Sequence, residues 1–188
     1  RGRAFIASQY AKQTFLPTGL RWSGQLINQS LVNNLSTWDE GNYNNTINTK
    51  FGAITGLRQI GYTLKIVQWS NYNTAFIGRR ELQNADGSTN LVVTDNLIGT
   101  INPSEMEFGT KYPGSIISTG RRVYFFDSLK SKYIVDDGNG INEIALYGGP
   151  DGGNNSTMSK YFRQLANTIN SSSNYDIITG FDYLYRDM

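Results

Sequence analysis

The feature that most constrains the fold is an order of short, strand-like segments that recurs along the chain. The segments are rich in β-branched and aromatic residues, and turn-forming residues separate them. Ala53, Ser115 and Ile177 mark successive copies, and they are equally spaced in the sequence. The first copy comprises residues 53–60, 63–69, 74–78, 91–93 and 97–100, the second comprises 114–119, 122–127, 131–136 and 141–146, and the third begins at 176–182.

Repetition of a unit of several strands in a fixed order is typical of antiparallel β-meander blades that stack around an axis. We therefore expect a mainly β fold with propeller-like blades that begin near residues 53 and 115. We expect the array to be incomplete, with a third blade truncated from about residue 176. The rest of a ring would lie in a longer chain or in other subunits. A β-sandwich is the alternative, because its strands recur at similarly short intervals.

Two further regions complete the predicted organisation. Residues 1–50 are irregular and are predicted to form loops and short strands, followed by a propeller-like β domain over residues 51–188. A helix is predicted at about 156–170, because apolar residues recur there at helical spacing and residues 154–156 are suited to cap it. The helix is inserted between the second and third copies. The sequence Asn-Ala-Asp-Gly at 84–87 predicts a hairpin turn.

The composition excludes several kinds of site. The 188 residues include no Cys and no His, which excludes disulfides, thiolate nucleophiles, imidazole bases and the usual zinc and haem ligands. A net charge of +2 with 17% charged residues is too weak for a nucleic-acid interface, which needs clustered Lys and Arg. No apolar run is long enough to span a membrane. We predict no catalytic residues, no cofactor and no metal site.

Two segments resemble ligand-binding loops in composition, but a hairpin turn is favoured for one and an ordinary loop is predicted for the other. Residues 136–140, Asp-Asp-Gly-Asn-Gly, resemble a calcium loop in composition, but the bidentate Glu of an EF-hand is missing and a hairpin turn is favoured. Residues 148–153 are Gly-rich, but no Lys follows at the P-loop spacing, so a loop is predicted. A glycosidase needs two carboxyl groups facing each other across a cleft, and the sequence shows no such pairing.

Aromatic residues are the main candidates for contact with a partner. The chain has 12 Tyr, 9 Phe and 3 Trp, an aromatic content typical of β-rich proteins. Most of these rings are predicted to lie in the core, but a surface ring can pack on a protein partner or stack on a sugar. The residues chosen as possible partner or glycan contacts are Trp38, Trp69, Tyr72 and Tyr161.

Several short motifs follow one another in an order that is more specific than any one of them. They are FLPTGLRWS at 15–23, NNL at 33–35, FGAI at 51–54, LKIVQ at 64–68, GTINPSE at 99–105, FGTKYPGS at 108–115 and VYFFD at 123–127. In this order they resemble segments of large virion proteins of tailed bacteriophages, notably the crAss-like phages of gut Bacteroidetes. The chain departs from the family pattern at Trp69 and Gly114, where Glu is frequent in the family. The resemblance covers roughly residues 15–187.

The resemblance implies a structural component of the virion, in the tail or near the portal, of the ring, hub or muzzle type. It implies many copies, as in a homo-oligomeric ring, contacts with other virion proteins and no catalytic residues. The rival hypothesis is a carbohydrate-binding or glycan-degrading module of a tail, or of an extracellular or bacterial cell surface, with a host glycan as ligand. The first hypothesis predicts strand edges and loops that neighbours bury. The rival predicts a concave pocket lined by Trp or Tyr with paired carboxylates.

Overall fold

A computed structural model describes residues 15–24, 26, 33–84, 88–146 and 157–182. The described residues form antiparallel sheets and one α-helix, which confirms the prediction of a mainly β fold with one helix. The described part of residues 1–50 is mostly irregular. It contains two paired strands of two residues each, β1 (Leu20–Arg21) and β2 (Tyr43–Asn44), an isolated bridge between Leu26 and Asn33, and the start of a 3-10 turn at Thr49–Phe51.

The first of two four-stranded sheets is an antiparallel meander. Its strands, in order, are β3 (Ile54–Ile60), β4 (Thr63–Gln68), β5 (Tyr72–Gln83) and β6 (Thr89–Pro103). The two strands predicted at 91–93 and 97–100 are in fact one strand, and β5 runs well beyond the predicted 74–78. The prediction is wrong here because β5 and β6 stay paired across register shifts on both sides of Ile77, and such bulges interrupt the alternating pattern.

The second sheet repeats the meander with shorter strands. They are β7 (Ile117–Ser118), β8 (Val123–Asp127), β9 (Lys132–Asp136) and β10 (Ile141–Glu143). A 3-10 turn precedes each sheet, at Thr49–Phe51 before β3 and at Pro113–Ser115 before β7. The recurrent order in the sequence therefore corresponds to two meanders of the same design.

The α-helix, α1 (Thr157–Asn170), agrees with the helix predicted at about 156–170. Its predicted cap at 154–156, the Gly-rich segment 148–153 and residues 85–87 of the predicted hairpin turn lie outside the described residues. The segment predicted to begin a third copy forms no strand within its described part, 176–182. Instead, Ile177 packs near α1, and the Thr179 N–H donates to the Gly114 carbonyl at 3.0 Å.

The two sheets face each other across a shared core. Val67 and Tyr72 of the first sheet meet Val123, Phe125 and Ile134 of the second. The rings of Tyr72 and Phe125 stack with their centroids 5.5 Å apart. Because all five side chains are almost completely buried, this interface is the main apolar contact between the meanders.

The outer face of each sheet is covered by a different segment. On the first sheet, Ile66 and Ala75 pack against Leu20 and Ile47 of the N-terminal part. On the second sheet, Phe126 packs against α1 in a cluster that also contains Ala166, Ile169 and Ile177. The layers are therefore the N-terminal part, the first sheet, the second sheet and the helix. The described residues form no closed barrel or propeller, and among them no helix is long and apolar enough to cross a membrane.

Candidate functional site

A polar cluster lies at the otherwise apolar interface between the sheets. Lys65 of β4 and Asp136 of β9 form an ion pair with Nζ 2.7 Å from Oδ2, and their side chains are 6% and 1% exposed. The Tyr72 hydroxyl donates to the same carboxylate oxygen at 2.6 Å. The Lys65 Nζ also donates to Thr74 Oγ1 at 3.1 Å. The cluster therefore connects β4 and β5 of the first sheet to β9 of the second.

Strand geometry brings these groups together. Side chains alternate along β4, so Lys65 and Val67 face the second sheet while Ile66 faces the N-terminal part. Thr74 is the cross-strand partner of Lys65 in the ladder of β4 and β5. Asp136 ends β9 at the predicted hairpin turn 136–140, which the pairing of β9 with β10 shows to be a turn. There its Oδ1 accepts the Gly138 N–H at 2.7 Å.

Burial dominates the electrostatics of this cluster. Desolvation and the hydrogen bond to Asp136 raise the pKa of the Tyr72 hydroxyl well above its usual range, so this hydroxyl keeps its proton and acts as a donor. The charges of Lys65 and Asp136 are both out of water, and their attraction and added hydrogen bonds must offset that desolvation cost. Such a pair is expensive to break, because removal of one partner leaves a buried charge alone.

The cluster lines a cleft with a volume of about 480 Å³. The other walls come from the end of β6 with the loop that follows it, and from the turn between β9 and β10. Glu105, which is exposed, is the only other carboxylate in this lining. Because Lys65 already neutralises Asp136, the lining lacks the two free, opposed carboxyl groups of a glycosidase. Among the described residues, no group of acidic side chains is arranged to hold a metal ion.

The structure separates the four aromatic residues predicted as contacts. Trp38, Trp69 and Tyr161 are 55%, 44% and 59% exposed, and they lie in the N-terminal part, the turn between β4 and β5, and α1. Tyr72 is 1% exposed, because it begins β5 on the face that packs against the second sheet, so the prediction of a surface contact is wrong for Tyr72. In the described part of the chain, no ring contact or hydrogen bond joins any two of the four.

Gln68 is a buried anchor that the sequence prediction missed. Its Nε2 donates to the carbonyls of Asn48 at 3.0 Å and Gly52 at 2.8 Å, and its Oε1 accepts from Asn73 Nδ2 at 2.9 Å. Gln68 ends β4 and is completely buried. It therefore fixes the segment that leads into β3.

Asp127 occupies the equivalent place at the end of β8. Its Oδ2 accepts the Gly109 N–H at 3.1 Å, and its Oδ1 accepts the N–H groups of Leu129 and Lys130, each at 2.9 Å. Burial raises the pKa of the Asp127 carboxyl, although the three N–H donors act in the opposite direction. Asp127 fixes the segment that leads into the second sheet, as Gln68 does for the first. A polar residue that ends an apolar motif, as in LKIVQ and VYFFD, is the sequence signal for both.

The third feature is a two-stranded arm, which we define as residues 78–83 of β5 and 89–97 of β6. β5 has 12 residues and β6 has 15, whereas β4 has 6 and pairs with β5 only as far as Phe76. Beyond that point β5 and β6 pair with each other alone, to Gln83 opposite Thr89. Gly78, at the base of the arm, has a φ of 63°, which a bulge at this place requires.

The arm exposes apolar side chains. Leu82, Leu91 and Val92 are 38%, 49% and 41% exposed. Leu82 is paired with Asn90, so Leu82 and Val92 share one face of the arm, whereas Leu91 lies on the other. Both faces of the arm therefore present apolar surface.

Comparison of the chain with models of protein families, with curated proteins and with solved structures gives no match. The polar cluster and the anchors bind parts of the chain to one another. The arm is the feature that presents apolar surface outward on both sides.

Proposed function

We propose that the chain is a structural component of a bacteriophage virion, in the tail or in a portal-proximal assembly, and that it acts through protein–protein contacts rather than by catalysis. The order of the sequence motifs supports the virion setting. The arm is the single observation that supports a contact function. Other copies of the chain and other virion proteins are the proposed partners.

The energetics of the arm favour contact with a neighbour. A hairpin of two strands is marginally stable in water without a third strand or another packed element. Exposed edges and apolar side chains on such a hairpin are also a site for pairing with another chain. Burial of Leu82, Leu91 and Val92 against a neighbour would contribute about 25 cal/mol for each Å² of apolar surface removed from water. The arm is therefore suited to be ordered and stabilised by a second copy.

Sedimentation velocity of the purified chain over a range of concentrations tests this contact. We expect self-association that is lost when Leu82 and Leu91 are both replaced by Asp, since charges on both faces oppose burial in an interface. Leu129→Asp is the matched control, because Leu129 is 55% exposed in the turn between β8 and β9, away from the arm. Association that survives the double substitution, or that Leu129→Asp abolishes equally, would refute the role of the arm.

We also propose that the two meanders are neighbouring blades of a propeller-like array. Three observations support this arrangement: both sheets have the same strand order, their first strands are adjacent, and the outer face of the first sheet is only partly covered. Arg58 of β3 donates to the Ile116 carbonyl before β7 at 2.7 Å. An apolar cleft of about 350 Å³ lies between Trp22 and Leu57 on that outer face, where a preceding blade would pack.

The β-sandwich is the competing arrangement, because α1 covers the outer face of the second sheet, where a following blade would pack. An electron cryomicroscopy map of the assembled particle separates the two arrangements. Meanders arranged radially around one axis would support the propeller. Isolated pairs of facing sheets would support the sandwich.

The glycan hypothesis has weaker support, because the exposed Trp38, Trp69 and Tyr161 do not meet in one pocket. A glycan array and polysaccharide hydrolysis assays test it directly. We expect neither binding nor turnover. Cleavage that is abolished by a single Asp→Asn substitution would overturn the structural proposal.

A further inference from the structure

We propose that Lys65 and Asp136 condense to form an intramolecular amide, an isopeptide bond that covalently joins the two sheets. The inference rests on the buried cluster and is independent of the setting in which the protein works. Lysine and aspartate side chains are rarely both buried this deeply, because isolated charges are costly to bury. Here the amine nitrogen is 2.7 Å from Oδ2, and Cγ is bonded directly to that oxygen. The distance from Nζ to Cγ, the carbon that it would attack, therefore exceeds 2.7 Å by at most one carbon–oxygen bond length.

Two properties of the site favour condensation over a permanent ion pair. The sheets hold the two groups in contact, which replaces an encounter in solution by an intramolecular step of high effective concentration. Burial of both side chains also favours a neutral amide over a pair of opposite charges, because the amide carries a smaller desolvation cost. The exposed pair of Lys132 and Glu143 on the second sheet lacks the second property, since those side chains are 38% and 17% exposed.

The pair exchanges protons directly, and hydrogen bonds from its neighbours assist the reaction. Nζ first gives one proton to Oδ2, which leaves a neutral amine and a neutral carboxyl. The nitrogen lone pair then attacks Cγ, and negative charge develops on Oδ1, which accepts the Gly138 N–H at 2.7 Å. The nitrogen gives a second proton to Oδ2, its partner at 2.7 Å in the ion pair, while the Tyr72 hydroxyl keeps its proton and its hydrogen bond to Oδ2 at 2.6 Å. The bond from Cγ to Oδ2 breaks and Oδ2 leaves as water.

The step is balanced without any other reactant, because one ammonium and one carboxylate give one amide and one water. Tyr72 hydrogen-bonds to the oxygen that leaves and is therefore a catalytic residue in this step. The cleft that Lys65, Tyr72 and Asp136 line offers the water a path to solvent. The product keeps two of the hydrogen bonds, since the amide N–H can donate to Thr74 Oγ1 and the amide oxygen can accept from Gly138. The Tyr72 hydroxyl loses Oδ2 as its acceptor, but Tyr72 lines the cleft, where water can take the place of that oxygen.

Intact mass spectrometry of the denatured full chain tests the proposal. We expect a mass lower than that of the sequence by one water molecule. The Lys65→Arg and Asp136→Ala variants should have their full sequence masses, and Tyr72→Phe should lose water more slowly. Lys132→Arg is the matched control, and it should lose water as the unchanged chain does.

Peptide mapping after trypsin digestion distinguishes this bond from other losses of water. Asp137 precedes Gly138, and an Asp-Gly sequence can lose water as a cyclic imide within one linear peptide. The isopeptide instead gives a branched peptide that contains both Lys65 and Asp136, with no cleavage after Lys65. A full sequence mass with normal cleavage after Lys65, or water loss confined to a linear peptide, would overturn the proposal. Both readouts use the unchanged chain, so they decide the question even if a variant does not fold.

Discussion

Replacement of Gln68 by Ala should be one of the most destabilising polar substitutions in the chain. Gln68 is completely buried, and its amide joins Asn48, Gly52 and Asn73. Truncation leaves the Asn73 Nδ2 donor without this acceptor in a site that is only 3% exposed. It also removes the donor from the half-buried Gly52 carbonyl, whereas water can reach exposed Asn48.

The magnitude follows from the number of groups that lose a partner. A buried donor or acceptor without a partner costs about 1–3 kcal/mol, so the loss at Asn73 and Gly52 together should be about 2–6 kcal/mol. That is a large part of the roughly 5–15 kcal/mol of a typical domain. Urea unfolding followed by tryptophan fluorescence measures the loss. The denaturant dependence should stay unchanged, because the substitution leaves the surface exposed on unfolding nearly the same.

Gln59→Ala is the control for this experiment. Gln59 lies on the neighbouring strand β3 and is exposed, and its amide donates only to the Gly61 carbonyl. Its replacement should change the free energy of unfolding by about 0.5 kcal/mol or less. A loss below about 1 kcal/mol for Gln68→Ala, or equal losses for the two variants, would refute the view that Gln68 anchors the first sheet.

Two further substitutions test the segment that connects the two sheets and the second sheet itself. Gly109→Ala should destabilise the fold by several kcal/mol or prevent folding, because the added Cβ would lie 2.6 Å from the Ser70 nitrogen and 2.7 Å from the Asn71 nitrogen. Gly140→Ala is the control. It should be nearly neutral in the same urea assay, because nothing lies within 4 Å of the added Cβ. For Asp127, the folded pKa is raised, so the folded state binds the proton more tightly than the unfolded state does. We therefore expect the difference in unfolding free energy between the unchanged chain and Asp127→Asn to rise as the pH falls. The rise should span the range from above the folded pKa to the ordinary pKa of an Asp carboxyl. A difference that falls over this range would contradict the effect of burial on Asp127.

Local sequence patterns were enough to predict much of the fold. The strands at Ile54–Ile60, Thr63–Gln68 and Val123–Asp127 lie where apolar runs meet turn residues, and α1 lies where the helical period is clear. The long pairing of β5 with β6 was missed because bulges near Ile77 break the alternation that sequence patterns detect.

The candidate sites were harder to predict, because they depend on contacts between distant segments. Lys65 and Asp136 are far apart in sequence, and only the packing of one sheet on the other brings them together. The sequence marks Tyr72 as an aromatic residue beside a turn, but burial is decided by the facing Phe125. Gln68 and Asp127 each end an apolar motif, which is a local signal, yet their partners precede the sheets and are invisible to local patterns.

We propose that this chain is a structural part of a virion. Quantitative mass spectrometry of purified phage particles from the culture that carries its gene tests this proposal. We predict that the chain copurifies with infectious particles through a density gradient, at a constant number of copies for each particle. Absence of the chain from purified particles, with recovery from the cells or the culture medium alone, would contradict the claim.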